Sequence, residues 1–307
     1  MGETLRGAGS AGAGCVLLAG AIKPSPLVEL TGFSTLDLLA TADLTVFDLW
    51  IERLRGIGVE PSAVAAVYGT NVPSPSATPE TIAVRHRRER DHLRGPAGAA
   101  KDAAAELGGH DPIVIVEAKR HPGAGLGALV EAWNAGAGDV VVARNPSGAP
   151  GGVYVTRREY LELAPDRGFM DLKEQWLSRA REAGARVAVV DLPRPGTRSL
   201  RILPHYLRAT LDPEGAWGEG AGFQTGIVGA DAPRRALVCP SARVSDEADV
   251  IDAVVMEGAR VEKGAVVVRS VVCPGALVEP GAQVVDAVVT ESGVRSDKIP
   301  VGMAFGG

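Results

Sequence analysis

The sequence predicts an α/β domain with a mainly parallel sheet, followed by a short β-helix. Short apolar runs alternate with segments of helical spacing between Cys15 and Val190, which is the pattern of a sheet with helices on both faces. From Ala236 onward a 17-residue repeat carries valines at fixed positions, which is typical of a solenoid. The 307 residues also exceed what one hydrophobic core usually organises, so two domains are expected.

The α/β part has strands and helices in alternation. Its predicted strands are the apolar runs at residues 15–18, 64–67, 112–116, 140–142, 152–155 and 186–190. Its predicted helices have apolar residues at helical spacing and lie at residues 45–55, 98–107, 126–135, 157–163 and 171–183. The segment 145–148 predicts a turn between two strands. Ligands of such sheets bind outside the carboxyl ends of the strands, so we expect a site near the loop after Leu18.

The C-terminal repeat places the same residue type at the same position of each copy. Its valines form three columns: Val238, Val255, Val272 and Val289; Val244, Val261 and Val278; and Val250, Val267 and Val284. Small residues that permit sharp turns lie between the columns, at Ser241, Gly258, Gly264, Gly275 and Gly281. Each coil therefore buries its valines against the next coil in a triangular solenoid. We expect Pro300 and the Gly-rich tail to cover one end.

Composition and charge disfavour several kinds of partner and structure. A net charge of −5, with both signs mixed along the chain, disfavours nucleic acid and anionic membranes as partners. The densest basic run, Arg85–Arg90, is expected to be a solvated surface in a loop. Cys15, Cys239 and Cys273 are predicted to be reduced and packed as small hydrophobes. Because Met1–Gly14 lacks the apolar core of a secretory signal, we expect a cytoplasmic protein.

Four segments, in order along the chain, carry a resemblance to a known family: Val16–Ala21, Arg94–Ala99, Gly151–Val155 and Gly168–Glu174. They resemble the first strand, the turn beside the base, the strand by the sugar and the next helix entry of the sugar-1-phosphate nucleotidyltransferases, also called nucleotide-sugar pyrophosphorylases. The resemblance implies a Rossmann-like nucleotidyltransferase domain with a mixed, mainly parallel sheet. Some members append a left-handed parallel β-helix of hexapeptide repeats, which matches the C-terminal repeat.

This resemblance sets the expected domains and binding residues. We predict a flexible tail at residues 1–13, a nucleotidyltransferase-like domain at 14–212, a linker at 213–234 and the left-handed β-helix at 235–307. The residues that the resemblance places beside a nucleotide or sugar are Leu18, Ala19, Gly20, Ala21, Gly95, Pro96, Ala97, Gly98, Gly152 and Lys173.

The catalytic groups of the family are missing at the matching positions. Its phosphate-contacting lysine falls on Ser34, and its two metal-binding aspartates fall on Lys119 and Ser199. A lysine cannot hold Mg²⁺, which prefers carboxylate and water oxygens. The candidate carboxylate for a shifted ligand is Glu117. No metal site and no cofactor are therefore expected, and Mg²⁺ would be needed only if the protein were active.

Other residues could supply charge in a rebuilt site. The loop after the first strand lacks the second glycine and the arginine of active relatives, and Lys23 is its one cation. The catalytic candidates are accordingly Lys23, Lys119 and Asp171. With these residues in place of the usual groups, the chain could still be an active nucleotidyltransferase.

Three functional hypotheses remain open at this point. The first is a catalytically impaired nucleotidyltransferase homologue in sugar-nucleotide metabolism that binds a nucleotide, a sugar phosphate or a partner. The second is an active sugar-1-phosphate nucleotidyltransferase with a rebuilt site. The third is a structural module that forms homo-oligomers or binds another protein through its β-helix. All five histidines lie at or before His205, so the β-helix lacks the imidazole base that some hexapeptide-repeat acyltransferases use.

Overall fold

The computed structural model describes residues 3–7, 11–20, 24–89, 94–123, 125–212 and 235–296. The chain divides into two compact units. The α/β unit contains Met1–Pro24, Ser34–Asp37 and Val46–Arg198, and the β-helix unit contains Ser25–Phe33, Leu38–Thr45 and Ser199–Gly307. The domain bounds predicted from the sequence assign residues 25–33, 38–45 and 199–212 to the α/β domain, whereas the structure places them in the β-helix unit. The predicted linker, Pro300 and its tail, Ala21 and Lys23 lie outside the described residues.

The helices are short, and three of them have a proline in the first turn, at Pro26, Pro96 and Pro204. They are α1 Pro26–Thr31, α2 Val46–Arg55, α3 Gly95–Glu106, α4 Gly127–Asn134, α5 Arg158–Leu161, α6 Leu177–Glu182 and α7 Leu203–Leu211. A π-helical turn, Leu172–Trp176, precedes α6, and short 3-10 segments lie at Thr35–Asp37 and Pro61–Ala63. Among the described residues, no helix has both the length and the apolar character that crossing a membrane requires.

The α/β unit is built on a seven-stranded sheet. The strands before the repeat are β1 Gly14–Leu18, β2 Val64–Tyr68, β3 Arg85–Arg88, β4 Ile113–Glu117, β5 Arg120–His121, β6 Val140–Arg144, β7 Pro150–Thr156, β8 Val187–Asp191 and β9 Arg198–Ser199. The sheet order is β3-β2-β1-β4-β7-β6-β8, and only β7 runs against its neighbours. The predicted turn between β6 and β7 explains that reversal, since Asn145 N donates to Ala149 O at 2.8 Å. The predicted mixed, mainly parallel sheet is confirmed.

Two regions of the α/β unit differ from the sequence predictions. The basic run predicted as a loop contains strand β3, the edge strand of the sheet. Its arginines bond to the protein itself: Arg87 pairs with Glu106, and Arg88 donates to Thr70 O at 3.0 Å. Residues 3–7 fall in the range predicted as a flexible tail, yet Leu5 is buried and its N donates to Ile57 O at 3.0 Å.

One core cluster of the α/β unit joins the sheet to the alanine face of α3 and to residues of α5, the π-helical turn and α6. Ala100 and Ala103 are fully buried, and their small side chains let the helix approach the strands closely. The rings of Tyr154 and Trp176 pack edge to face with centroids 6.5 Å apart. Aromatic contacts therefore connect β7 to the π-helical turn that precedes α6.

The repeat forms three parallel sheets that pair equivalent residues of successive coils. Its strands are β10 Ala236–Val238, β11 Arg243–Val244, β12 Asp249–Ile251, β13 Ala253–Val255, β14 Arg260–Val261, β15 Val266–Val268, β16 Val271–Val272, β17 Leu277–Val278, β18 Gln283–Val285, β19 Ala287–Thr290 and β20 Gly293–Ser296. Val244 pairs with Val261 and Val261 with Val278, and Val250, Val267 and Val284 align in the same way. The column of Val238, Val255, Val272 and Val289 is also in register. The predicted columns are confirmed, whereas the left hand of the helix stays a prediction.

At two corners of the β-helix the turns contain the predicted glycines, and at the third corner they contain charged residues. Gly258, Gly264, Gly275 and Gly281 all have positive φ, as a sharp turn favours. At the third corner the left-handed residues are Asp252, Arg269 and Asp286, with φ between 46° and 50°. Arg269 Nε lies 2.6 Å from Asp286 Oδ1, so this corner is held by a charge pair rather than by glycine.

The last coil ends differently from a fourth repeat. After Thr290 the chain reverses, and β20 pairs antiparallel with β19. Helix α1 lies against β19, while α7 lies against β10 and β13. Tyr206 of α7 is fully buried and donates to Leu39 O at 3.0 Å. These contacts explain why the segments around Tyr206 and Leu39 belong to the β-helix unit.

Candidate functional site

The candidate site lies at one edge of the sheet of the α/β unit, where the ends of three neighbouring strands lie side by side. Leu18, the last residue of β1, is paired with Glu117, the last residue of β4. On the other side of β4, Val116 is paired with Val153, which places Gly152 beside the end of β4. This is the carboxyl edge of β1 and β4, where ligands of such sheets bind. The loop after Leu18, where the sequence predicts a site, begins at this same edge.

The turn after β1 is held tightly against β2. Both Ala19 N and Gly20 N donate to Val67 O, at 2.7 and 3.0 Å. A Cβ atom on Gly20 would lie 2.4 Å from Gly69 N, so only glycine fits. The predicted Leu-Ala-Gly backbone thus adopts a tight turn that a larger residue at Gly20 would disrupt.

Glu117 is the centre of a charged cluster at this edge. Its Oε1 lies 3.1 Å from Lys173 Nζ, and its Oε2 lies 3.4 Å from Arg120 Nε. The hydroxyl of Tyr154 donates to the same Oε1 at 3.5 Å. The Lys173 side chain is 39% exposed, whereas that of Arg120 is 17% exposed. A partly exposed cation and a more buried one therefore flank a single carboxylate.

Gly152 makes room for this cluster. Its φ is +69°, a conformation that L side chains rarely adopt. A Cβ atom there would lie 2.4 Å from Arg120 Nε and 3.1 Å from Glu117 Oε2. The glycine that the sequence placed beside a sugar therefore packs directly against the ion pair of Arg120 and Glu117.

Asp171 contributes by fixing the position of Lys173. It caps the π-helical turn, because its Oδ1 accepts from Lys173 N at 2.7 Å and from Glu174 N at 3.0 Å. Burial, and the nearby charges of Glu117 and Asp171, raise the pKa of the Tyr154 hydroxyl above its ordinary value. Tyr154 therefore stays protonated at neutral pH and acts as a hydrogen-bond donor.

The start of α3 lies next to the segment that leads to Lys173. Ala97 N donates to Met170 O at 3.1 Å, and Met170 N donates to Arg94 O at 3.1 Å. Gly95 has φ +68°, and a Cβ atom there would lie 2.6 Å from Met170 O. Pro96 occupies the first turn of α3, and Gly98 packs against the Arg94 side chain. The predicted residues at 95–98 are thus joined to the Lys173 segment by backbone contacts.

The structure brings some predicted site residues together and separates others. Glu117, Gly152 and Lys173 form the cluster, and Leu18 and Asp171 adjoin it. Lys119 lies in the short connection between β4 and β5. The sequence prediction missed Arg120 and Tyr154. Tyr154 was visible as the tyrosine of the Gly-Gly-Val-Tyr motif, whereas nothing local distinguished Arg120 from other surface arginines.

The residues at this edge do not fit a divalent cation. Glu117 already has two cationic partners, and the Asp171 Oδ1 that caps the turn accepts two backbone amides. Among the described residues, no three Asp, Glu, His or Cys side chains lie together as a metal site. A dication would have to displace Lys173 and Arg120 from the carboxylate, against their repulsion.

Comparison with known proteins supports the fold of the α/β unit and nothing finer. The α/β unit has the fold of the nucleotidyltransferase domains, and parallel coils follow it. One similar solved structure was assigned as a glucose-1-phosphate thymidylyltransferase from Bacillus anthracis, in complex with a sucrose. It has a TM-score of 0.50 and 14% identity, covering 65% of this chain and 94% of that one. No protein-family model and no curated protein matches the chain.

Proposed function

We propose that the α/β unit binds the phosphate group of a nucleotide or sugar phosphate and has lost metal-dependent nucleotidyl transfer. The observation that carries this proposal is the Glu117 carboxylate, which lies between Lys173 and Arg120 at 3.1 and 3.4 Å. The nucleotidyltransferase-like fold supports the class of ligand. Such a protein would serve as a regulatory or scaffolding subunit in sugar-nucleotide metabolism, with no resident cofactor.

Electrostatics explains why this arrangement disfavours transfer and favours binding. Nucleotidyl transfer needs a dication that bridges the phosphates and neutralises charge developing on them. Two unit charges about 4 Å apart interact by roughly 4 kcal/mol near a protein surface, so a dication beside Lys173 would be repelled strongly. A phosphate would instead be attracted, because Lys173 can offer its remaining N–H groups to it. The site therefore suits an anion without a metal.

The proposal is tested by binding and activity measurements on the full chain. Glucose 1-phosphate and nucleoside triphosphates are titrated by calorimetry, with and without Mg²⁺, and each mixture is assayed for nucleotide-sugar. We expect binding that does not require Mg²⁺, and no product. Lys173→Gln should weaken that binding about tenfold, because a charge-assisted hydrogen bond is lost.

A second lysine provides the matched control. Lys263 in the β-helix unit is exposed and lies 3.0 Å from one carboxylate, Glu247, much as Lys173 lies near Glu117. Lys263→Gln should leave ligand affinity unchanged. Ordinary rates of product formation with Mg²⁺ would instead support an active enzyme with a rebuilt site. The absence of any ligand would favour a structural module that assembles through the β-helix.

A further inference from the structure

A second group of charged residues lies at the opposite edge of the same sheet. Asp139 precedes β6, Arg186 precedes β8 and Arg157 follows β7. Because Val140 is paired with both Thr156 and Val187, these three residues lie side by side. Strands β6 and β8 run parallel to β4, so this edge is the one remote from Glu117. It belongs to no part of the site described above.

These residues line a cavity with more positive than negative charge. The cavity has a volume of about 280 Å³ and is bounded by Arg6, Gly7, Trp133, Asn134, Gly136, Gly138, Arg157 and Arg186. Three arginines thus line one cavity. The carboxylate beside them is Asp139, 3.1 Å from Arg186 Nε and 3.5 Å from Arg157 Nε. The local charge is therefore about +2, if Asp139 is counted against the three arginines.

Asp139 holds the arginines in position without using all of their donors. It accepts two hydrogen bonds from the Arg186 guanidinium, whose Nη1 also donates to Gly136 O at 3.1 Å. This bonding lowers the pKa of the Asp139 carboxyl below its ordinary value, so its charge persists at neutral pH. Within the described part of the chain, the terminal nitrogens of Arg157 and the whole Arg6 guanidinium have no hydrogen-bond partner in the protein. Those donors remain available to a ligand.

The N-terminal segment forms one wall of the cavity and is itself held in place. Trp133 Nε1 donates to Arg6 O at 3.0 Å, and Asn134 Oδ1 accepts from Arg6 N at 2.9 Å. Asn134 Nδ2 also donates to Thr4 O at 2.9 Å. The Arg157 guanidinium lies 5.7 Å from the centre of the Trp133 ring, within range of a cation–π contact. Two of the three arginines are thus positioned by α4, which packs against β6 and β8.

From these contacts we infer that this cavity is a second anion site, and that it takes a phosphate group as a dianion. Guanidinium groups match the oxygens of phosphate with paired N–H donors, and two excess positive charges match the two charges of a phosphate monoester. The volume accommodates a small phosphate compound and is less than a nucleoside triphosphate fills. Glycines at 136 and 138 leave the backbone close to such a ligand.

The experiment titrates inorganic phosphate into the full chain by calorimetry at constant ionic strength, with acetate as a monoanion for comparison. It is performed on the Lys173→Gln variant, so that the site at the carboxyl edge binds about tenfold more weakly and contributes little. We expect phosphate to bind this variant and acetate to bind much more weakly. Arg157→Gln and Arg6→Gln, each added to that variant, should lower phosphate affinity about tenfold.

The control is Arg181→Gln, which removes an exposed arginine of α6 away from the cavity and should leave affinity unchanged. Melting temperatures without phosphate show that each variant is folded, and Arg6 is exposed enough that its change should not disturb folding.

Loss of all phosphate binding in Lys173→Gln alone would refute the second site and leave the first proposal intact. Equal affinity in the Arg6, Arg157 and Arg181 variants would also refute it. If instead Lys173→Gln does not alter sugar-phosphate binding while Arg157→Gln abolishes it, the first proposal fails and this one stands.

Discussion

The β-helix unit and the α/β unit bury their side chains in different ways. In the β-helix, Val267 is paired with Val250 and Val284 of the neighbouring coils, and the same spacing recurs throughout the repeat. In the α/β unit, Trp176 packs on Tyr154, and no periodicity in the sequence predicts this contact. A repeated side chain finds an identical partner one coil away, whereas a unique one finds its partner only through the complete fold. For the same reason, a single substitution should lower the free energy of unfolding by different amounts in the two units.

Trp176→Ala should have the largest effect. Trp176 is fully buried, and its Nε1 donates to Tyr160 O at 2.8 Å. Removing it creates a large cavity and should lower the free energy of unfolding of the α/β unit by about 3–5 kcal/mol. Native-state hydrogen exchange of peptides from β4 and β7 would measure this loss. Trp176→Phe keeps most of the volume and should cost clearly less, and a loss under about 1 kcal/mol for Trp176→Ala would contradict the packing described.

Val267→Ala tests the β-helix in the same way. Val267 is fully buried in the middle coil, and the change removes two methyl groups, which should cost about 2 kcal/mol. Because each coil contacts only its neighbours, faster hydrogen exchange should be limited to β12, β15 and β18 and nearby strands. Val285→Ala is the control, since Val285 is 48% exposed and its loss should have almost no effect. Equal losses at positions 267 and 285 would show that the coils are not packed as described.

The periodicity of the repeat explains why its register could be predicted from sequence alone. A step of 17 residues identifies the partners of Val261 as Val244 and Val278 with no knowledge of the rest of the chain. The alternation of strands and helices likewise predicted the parallel sheet, because each element carries its own hydrophobic period. Strand β3 was missed because its arginines lack such a period: an edge strand tolerates charge on both faces.

The candidate site could be predicted only in part. Glu117 was found because it ends a predicted strand, and Gly152 and Lys173 because they fall in motifs that resemble a known family. Arg120 follows Glu117 by three residues, yet its ion pair depends on the space that Gly152 leaves on a different strand. The cavity at the other edge depends on the ends of three strands and on Trp133, and no local pattern joins them.

Gly152→Ala should have an intermediate effect, and it tests whether the cluster at Glu117 depends on that space. An alanine in this left-handed backbone conformation should lower the free energy of unfolding by roughly 1–2 kcal/mol. The new Cβ atom would also displace Arg120. Gly148→Ala is a matched control, because Gly148 has φ +86° and a Cβ atom there would have no neighbouring atom within 4 Å. Both variants should lose stability in hydrogen exchange, and only Gly152→Ala should also lose affinity for glucose 1-phosphate. Unchanged affinity in Gly152→Ala would mean that Arg120 does not matter for binding.

Asp286→Asn should have the smallest effect, although it removes the pair that holds a corner of the β-helix. Arg269 Nε and Nη2 lie 2.6 and 2.7 Å from the two carboxylate oxygens, but the Asp286 side chain is 61% exposed. The Arg269 side chain is only 12% exposed, but asparagine keeps one oxygen that can accept from it, so the loss should be about 1 kcal/mol. Asparagine also tolerates the left-handed backbone that Asp286 adopts at φ 50°. Hydrogen exchange of β18 and β19 should therefore show a small loss that shrinks further in about 1 M salt, where charges are screened. A loss above about 2 kcal/mol that salt does not change would mean that the corner is fixed by these particular side chains. In that case the β-helix would share the dependence on unique contacts that marks the α/β unit.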